Sequence, residues 1–333
     1  MFLKSHEREW RTERFEFARV EQPEDLPRPN PRIIDVALLD MHHGFANLGH
    51  DAIVALVRDA TMASDDALAR SGRRVRLVSY AVRDKLMVPD HAGGRHRLYL
   101  GTGGPGHLDP RRNTHARGLQ GIEEDPSWEM PLWRLFEAVA SDGDAAMFGV
   151  CHTFGLLCRW SGVAQPMLRG PEKGGAKTGV TFNVLTPEAI EHPWFATLSR
   201  SGVAVLDSRY YDLVPAVPTF PAGLTPIAFD SSRADEGSGQ ALTMLELARE
   251  RDGSAPRIFA VNSHPEIGSP QRVAAQLDRM LANGMITAQY HAERSAAILP
   301  MLRGDLGDER LIVARRVFGD LVHRHIDRLA LAA

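Results

Sequence analysis

The apolar residues of the chain fall into short continuous runs separated by stretches with helical spacing. Six of the nine residues in the first run, Arg32 to Asp40, are aliphatic, which is typical of a strand covered on both faces. The stretch after it places Ile53, Val54 and Val57 on one face of a helix. This alternation predicts an α/β fold with a mostly parallel sheet and helices on both faces. The further strand-like runs are Arg74–Val82, Arg97–Leu100, Ala145–Val150 and Arg257–Asn262.

Other segments depart from this alternation and suggest the domain boundaries. Residues 1–31 are highly charged and then rich in proline, which predicts an N-terminal extension and linker. Between 163 and 232 the turns are dense, which predicts an antiparallel flap or sheet edge. We predict one helix from Ala241 to Arg249 and further helices from Thr287 to Leu331. The chain is therefore divided into the extension, a central domain (32–285) and a C-terminal helical extension (286–333).

Composition and charge narrow the function classes. The chain has 39 basic and 42 acidic residues and a net charge of −3, so we expect neither a nucleic-acid nor a membrane partner. No run reaches the ~18 apolar residues that a spanning helix needs. Two cysteines, Cys151 and Cys158, cannot form a disulfide framework, which favours a reducing, cytoplasmic location. The histidines form no recognisable ligand pattern, so no metal and no cofactor is expected.

Cys151 lies at a predicted junction between a strand and a helix. A strand-to-helix turn lifts its middle side chain out of the sheet and directs backbone N–H groups towards it. The positive end of the following helix favours the reactive thiolate of a cysteine placed there. The sequence therefore makes Cys151 a candidate nucleophile. A buried structural cysteine without chemistry is the alternative.

A histidine and a carboxylate follow the last predicted strand. His264 comes directly after this strand, and Glu266 stands two residues further on. A histidine with a nearby carboxylate supplies a base and the group that orients it. In a parallel sheet, the carboxyl ends of the strands meet at one edge, where ligands bind. His264 is therefore a candidate base, and a turn histidine without a catalytic role is the alternative.

A glycine-rich loop follows another predicted strand. The residues from Gly101 to Gly106 read Gly-Thr-Gly-Gly-Pro-Gly. Glycines permit close backbone approach, so N–H groups of such a loop can face an oxyanion. The lysine and the serine or threonine of a phosphate-binding loop are missing. An ordinary tight turn is the alternative reading of this segment.

Together, in this chain order, the three segments resemble the class I glutamine amidotransferase family. The resemblance covers roughly Ile33 to Asn283 and implies a three-layer, doubly wound α/β fold. It implies that Cys151 is the nucleophile, His264 the base and Glu266 the carboxylate that orients the imidazole. The backbone N–H groups of Gly104 and His152 would form the oxyanion hole. The chemistry implied is attack on a carboxamide, release of ammonia and hydrolysis of a thioester.

The substrate pocket departs from the pattern of that family. At the strand-to-helix turn of the nucleophile, called the elbow below, the family usually has Cys, any residue, Gly, any residue, Gln. This chain has Thr153 in place of that glycine and Gly155 in place of that glutamine. The missing glutamine normally helps to hold the amino-acid end of the substrate. A site that loses such a partner loses discrimination, so free glutamine need not be the substrate. The predicted pocket residues are Gly103, Thr153, Gly155 and Tyr211.

Three hypotheses follow for the function. The first is a cysteine-dependent amidase or amidotransferase acting on glutamine or a related amide. The second is an acyltransferase or hydrolase acting on a non-glutamine substrate. The third is a non-catalytic binding or regulatory relative. The partners expected are a small-molecule amide and either a synthetase or acceptor subunit, which would take the ammonia, or a second copy of the chain in a homodimer. The alternative is that the protein works alone.

Overall fold

The computed structural model describes residues 10–45, 48–91, 94–113, 122–169, 177–198, 202–235, 239–267, 270–284, 286–303 and 308–332. The chain divides into two compact units. The first unit comprises Met1–Phe45, Ile53–Thr153 and Gly319–Ala333. The second unit comprises Ala46–Ala52 and Phe154–Phe318.

The first unit is built on a parallel sheet. Strand β2 pairs with β3 along its whole length, from Ile33 opposite Arg74 to Asp40 opposite Ala81. Every residue of β2 after Ile33 is buried, which explains the aliphatic run in the sequence. The strands lie in the order β1-β3-β2-β4-β5. Their bounds are β1 (Phe15–Val20), β2 (Ile33–Asp40), β3 (Arg74–Ala81), β4 (His96–Gly101) and β5 (Ala146–Val150).

Helices connect the strands of the first unit. They are α1 (Leu48–Ala63), α2 (Asp65–Ser71), α3 (Val82–Lys85) and α4 (Glu129–Ser141), with short 3-10 turns at Pro23–Asp25, Pro110–Arg112 and Pro126–Trp128. Helix α2 ends where Gly72 adopts φ 64°, a left-handed conformation that closes helices. Helix α4 buries Leu132, Leu135, Phe136 and Val139, which are spaced to form one face.

The second unit is built on antiparallel strands. They pair in the order β12-β11-β10-β7-β8, and β9 pairs with both β6 and β11. The strands are β6 (Ala164–Leu168), β7 (Lys177–Leu185), β8 (Val203–Arg209), β9 (Tyr211–Pro215), β10 (Thr225–Asp235), β11 (Gly239–Arg249) and β12 (Pro256–Val261). The helices that begin or lie in this part of the chain are α5 (His152–Ser161), α6 (Pro187–Glu191), α7 (Pro270–Ala282), α8 (Ala288–Leu302) and α9 (Asp308–Leu331).

The predicted α/β class is confirmed, as are the antiparallel segment in the middle of the chain and the helices near its end. The helix predicted from Ala241 to Arg249 is wrong, because this segment is strand β11. Its residues from Ala241 to Leu247 are all buried. A short run that is apolar on both faces lacks the periodicity that would separate a strand from a helix. Among the described residues, no helix combines the length and the apolar character needed to span a membrane.

Both predicted extensions contribute to the first unit. Residues 1–9 lie outside the described part of the chain, but β1 pairs in parallel with β3. At the other end, the ring of His325 lies 5.2 Å from the ring of Phe148 in β5, and Arg328 donates to the Asp144 carbonyl. The boundaries at residues 32 and 285 stay a prediction.

A buried polar cluster lies within the parallel sheet. Arg76 and Arg95 donate to the Asp35 carboxylate, at 2.6 Å and 2.9 Å. His96 donates from Nδ1 to the Asp35 carbonyl (3.2 Å), and its Nε2 accepts from the Tyr80 hydroxyl (2.8 Å). Burial disfavours the charged imidazole and lowers the pKa of His96 from 6.5 to about 4. His96 is therefore neutral in the folded chain near neutral pH.

We expect the free energy of unfolding to depend on pH through His96. Between about pH 6.5 and 4 the unfolded chain binds a proton at His96 that the folded chain does not, so stability falls as the pH falls. The full loss is about 3 kcal/mol at the acid end of this window. Urea unfolding at pH 7.5 and pH 4.5 measures it, with His96→Gln as the non-titrating control. An equal pH dependence of the two chains would contradict the assignment.

Candidate active site

Cys151 occupies the turn between β5 and α5. Its φ is +48°, in the left-handed region that non-glycine residues rarely adopt. The residues on either side, Val150 and His152, are buried, whereas Cys151 is partly exposed. Strand, turn and helix thus present the thiol at the first turn of α5, where the backbone N–H groups have no partner within the helix. The strand-to-helix turn is the one that the sequence predicts, and the positive φ at Cys151 was not predicted.

The strain at Cys151 predicts a measurable effect on stability. The free energy of unfolding of Cys151→Gly should be about 0.5–1 kcal/mol higher than that of Cys151→Ala, because glycine adopts positive φ without a Cβ penalty. At Cys158, inside α5, the same two substitutions should rank in the opposite order by about 1 kcal/mol. Urea unfolding of the four variants tests both. The same order at the two positions would show that the elbow is not strained.

The glycine-rich loop leaves β4 at Gly101 and comes close to the chain that leaves β2. A Cβ on Gly104 would overlap the Met41 carbonyl oxygen and would lie 3.0 Å from the Met41 carbonyl carbon. Only glycine permits this backbone approach. Among the described residues, the Gly104 N–H donates to no backbone carbonyl or side chain. The donor predicted for the oxyanion hole is therefore not used by the loop itself.

Thr153 ties the elbow to the glycine-rich loop. Its N–H and its hydroxyl both donate to the Thr102 carbonyl, at 3.3 Å and 2.8 Å. A Cβ on Gly101 would overlap the Thr153 side chain, so the glycine that ends β4 makes room for the threonine. Thr153 is buried and its hydroxyl serves this link. From the sequence, Thr153 was assigned to the substrate pocket, and its link to Thr102 was not predicted. The signal present in the sequence was Gly101, a glycine at the end of a buried strand.

The second unit positions His264 and Glu266. Both follow β12, and the His264 N–H donates to the Leu206 carbonyl of β8 (2.8 Å). The His264 Nδ1 donates to the Glu266 carboxylate at 2.8 Å. The Glu266 side chain is fully buried, and its second oxygen has no hydrogen-bond partner among the described residues. With Nδ1 protonated, Nε2 of His264 carries the lone pair that a general base needs.

Comparisons with known proteins agree with this architecture. No protein-family model matches the chain, and no curated protein does. The crystal structure of a glutamine amidotransferase from Methylobacillus flagellatus is similar, with a TM-score of 0.52 and 15% identity over 88% of this chain and 94% of that one. The chain has the glutamine amidotransferase fold. A glutamine amidotransferase from Thermotoga maritima matches with a TM-score of 0.46 and 12% identity, over 89% of this chain and 98% of that one.

The other predicted site residues are distributed over the amidotransferase fold. The Gly103 carbonyl accepts a hydrogen bond from the Thr102 hydroxyl, 2.7 Å away, within the first unit. In the second unit, Gly155 is buried in α5, and Tyr211 is buried at the start of β9, opposite Leu168. Their role in a substrate pocket stays a prediction, as do the catalytic roles. No three His, Cys, Asp or Glu side chains within the described ranges converge to hold a metal ion.

A buried charge network joins strands of the second unit and was not predicted. Arg209, which ends β8, donates to Asp207, Asp212 and Asp230. Arg169 also binds Asp212, and Lys177 also binds Asp230. Burial acts to lower the pKa of Arg209, but the three carboxylates outweigh it and raise the pKa. The network pairs its charges internally, so it fixes the strands of the amidotransferase fold to each other.

Proposed function

We propose that the chain is a cysteine-dependent amidase or amidotransferase that attacks a carboxamide through a thioester intermediate. The observation that carries this proposal is the left-handed backbone of Cys151 (φ +48°) between β5 and α5. Backbone strain of this kind persists at functional sites, where it holds a reactive group in position. The pair formed by His264 and the buried Glu266, 2.8 Å apart, supports the same reaction.

In this proposal His264 takes the proton of the Cys151 thiol, and the thiolate adds to the carboxamide carbon. The backbone N–H groups of Gly104 and His152 stabilise the oxyanion that forms. The carbon–nitrogen bond then breaks, and His264 returns the proton to the leaving ammonia. Water, deprotonated by His264, attacks the thioester, which releases the carboxylic acid and regenerates the thiol. Glu266 holds the imidazole in the tautomer that this cycle needs.

The direct test uses glutamine, related amides and esters with the full chain. We expect ammonia release and, at early times, an acyl adduct detected by mass spectrometry on Cys151. Cys151→Ala should abolish both. Cys158→Ala is the matched control, because burial raises the pKa of the Cys158 thiol and keeps it protonated. If no compound of the panel acylates Cys151 in the unmodified chain, the enzyme proposal is wrong and a binding or regulatory role takes its place.

A second candidate is an acyltransferase or hydrolase acting on a non-glutamine substrate. The observation that favours it is Gly155, which supplies no side chain where the resemblance expects the glutamine that holds the substrate. In a transferase, an amine or alcohol in place of water attacks the thioester carbon, and the acyl group moves from sulfur to nitrogen or oxygen. Product formation that requires an added amine or alcohol would identify the transferase. Turnover without one would support the amidase.

We also propose that an amidotransferase of this kind passes its ammonia to an acceptor subunit. Light scattering of the purified full chain shows whether the chain is a monomer or a homodimer.

A further inference from the structure

Arg83 is a buried cation beside the glycine-rich loop. It lies in α3, and its side chain and that of Glu124 are both fully buried. Its Nε and Nη2 donate to the two oxygens of the Glu124 carboxylate, at 2.7 Å and 2.9 Å. A charge removed from water persists only when it is paired and hydrogen-bonded, and this fork-to-fork geometry meets both needs.

The remaining nitrogen of Arg83 bridges two separate loops. Nη1 donates to the Met41 carbonyl (3.0 Å) and to the Pro105 carbonyl (2.6 Å). Met41 follows β2, and Pro105 directly follows Gly104. Nη1 would also lie 3.2 Å from a Cβ on Gly104. One guanidinium therefore fixes the backbone of the glycine-rich loop against the chain that leaves the neighbouring strand.

The anchor of Arg83 is itself held in place. Glu124 accepts a hydrogen bond from the Asn113 side-chain amide (2.6 Å). The Asn113 side-chain oxygen accepts from the His107 N–H, also at 2.6 Å, on the far side of the loop. The face of the Trp128 ring lies 5.9 Å from the guanidinium carbon. Contacts from Arg83 through Glu124 and Asn113 thus hold the loop on both sides of Gly104.

We propose that Arg83 is the positioning residue of the loop that presents the Gly104 N–H to the oxyanion. This inference rests on the proposed function. A hydrogen-bond donor stabilises a developing oxyanion only if it is fixed before the reaction begins. Lysine cannot replace the arginine, because a single ammonium does not reproduce a planar fork that serves a carboxylate and two carbonyls together.

The test compares two reactions of the same thiol. Iodoacetamide alkylates Cys151 by forming a carbon–sulfur bond as iodide leaves, and this reaction develops no oxyanion. p-Nitrophenyl acetate acylates Cys151 at its carbonyl carbon through an oxyanion, and p-nitrophenolate leaves. We expect Arg83→Lys to lower the acylation rate about 10²-fold, in the range for loss of one oxyanion donor, while the alkylation rate changes less than about twofold.

A second variant removes the ion pair of Arg83 and Glu124 without leaving an unpaired buried charge. Arg83→Met combined with Glu124→Leu replaces the ion pair with apolar side chains, an exchange that buried pairs often tolerate. This double variant should also acylate Cys151 more slowly, while its alkylation rate stays nearly unchanged. Equal losses in both reactions, or no loss of acylation, would overturn the role of Arg83. An unmodified chain that is alkylated but never acylated at Cys151 would instead overturn the proposed function, and this inference with it.

Discussion

Glu266→Gln should lower the turnover of amide or ester substrates about 10⁴-fold, the loss seen when the orienting carboxylate of a catalytic triad becomes an amide. The buried carboxylate accepts from Nδ1 of His264, so it keeps the lone pair on Nε2. A glutamine presents either an oxygen or an NH₂ group to Nδ1. The NH₂ group would favour the opposite tautomer, in which Nε2 carries a proton and cannot act as a base.

The chain offers a matched control for this substitution. His192 and Glu246 form another buried histidine–carboxylate pair in the second unit, with Nε2 and the carboxylate oxygen 3.1 Å apart. The Trp194 N–H donates to Nδ1 of His192, so both ring nitrogens serve the structure. Glu246→Gln should change the free energy of unfolding and leave turnover per folded molecule unchanged. Equal turnover losses in the two variants would show that Glu266 has only a structural role.

The sequence predicts best those features that one short segment determines. The elbow at Cys151 requires only a buried strand, one turn residue and the start of a helix, all within a few consecutive residues. His264 and Glu266 are separated by one residue, so their pairing at 2.8 Å also follows from local sequence. In both cases a run of apolar residues identifies the strand, and the polar residues after it identify the candidate site.

Features that depend on distant parts of the chain could not be predicted in this way. Arg83 and Glu124 are 41 residues apart, and no spacing rule connects them. The link between Thr153 and the Thr102 carbonyl joins residues 51 apart. Strand β11 was predicted as a helix for a related reason: a short run that is buried on both faces shows no helical or strand period, and the pairing with β10 and β12 determines its structure. Tertiary contacts, not local pattern, decide these cases.

Gly104 lies close to the chain that leaves β2, so a substitution at Gly104 should also have a large effect on the acylation of Cys151. Gly104→Ala should lower Cys151 acylation about 10²–10³-fold, as for loss of one oxyanion donor. The new Cβ would overlap the Met41 carbonyl oxygen and lie 3.2 Å from Arg83 Nη1. The carbonyl belongs to the backbone and cannot rotate away like a side chain, so the loop must shift and take its N–H with it. Overpacking of this kind also costs about 1–3 kcal/mol of stability.

Gly319→Ala is the control for Gly104→Ala. Gly319 lies within α9, and a Cβ there would meet no atom within 4 Å. Alanine should therefore stabilise the helix by up to about 1 kcal/mol and leave acylation unchanged. Alkylation by iodoacetamide should stay near its normal rate in both variants, because it needs no oxyanion donor. Acylation of Gly104→Ala at the normal rate would mean that the reaction does not use this loop, whereas a selective loss would place the oxyanion beside Gly104.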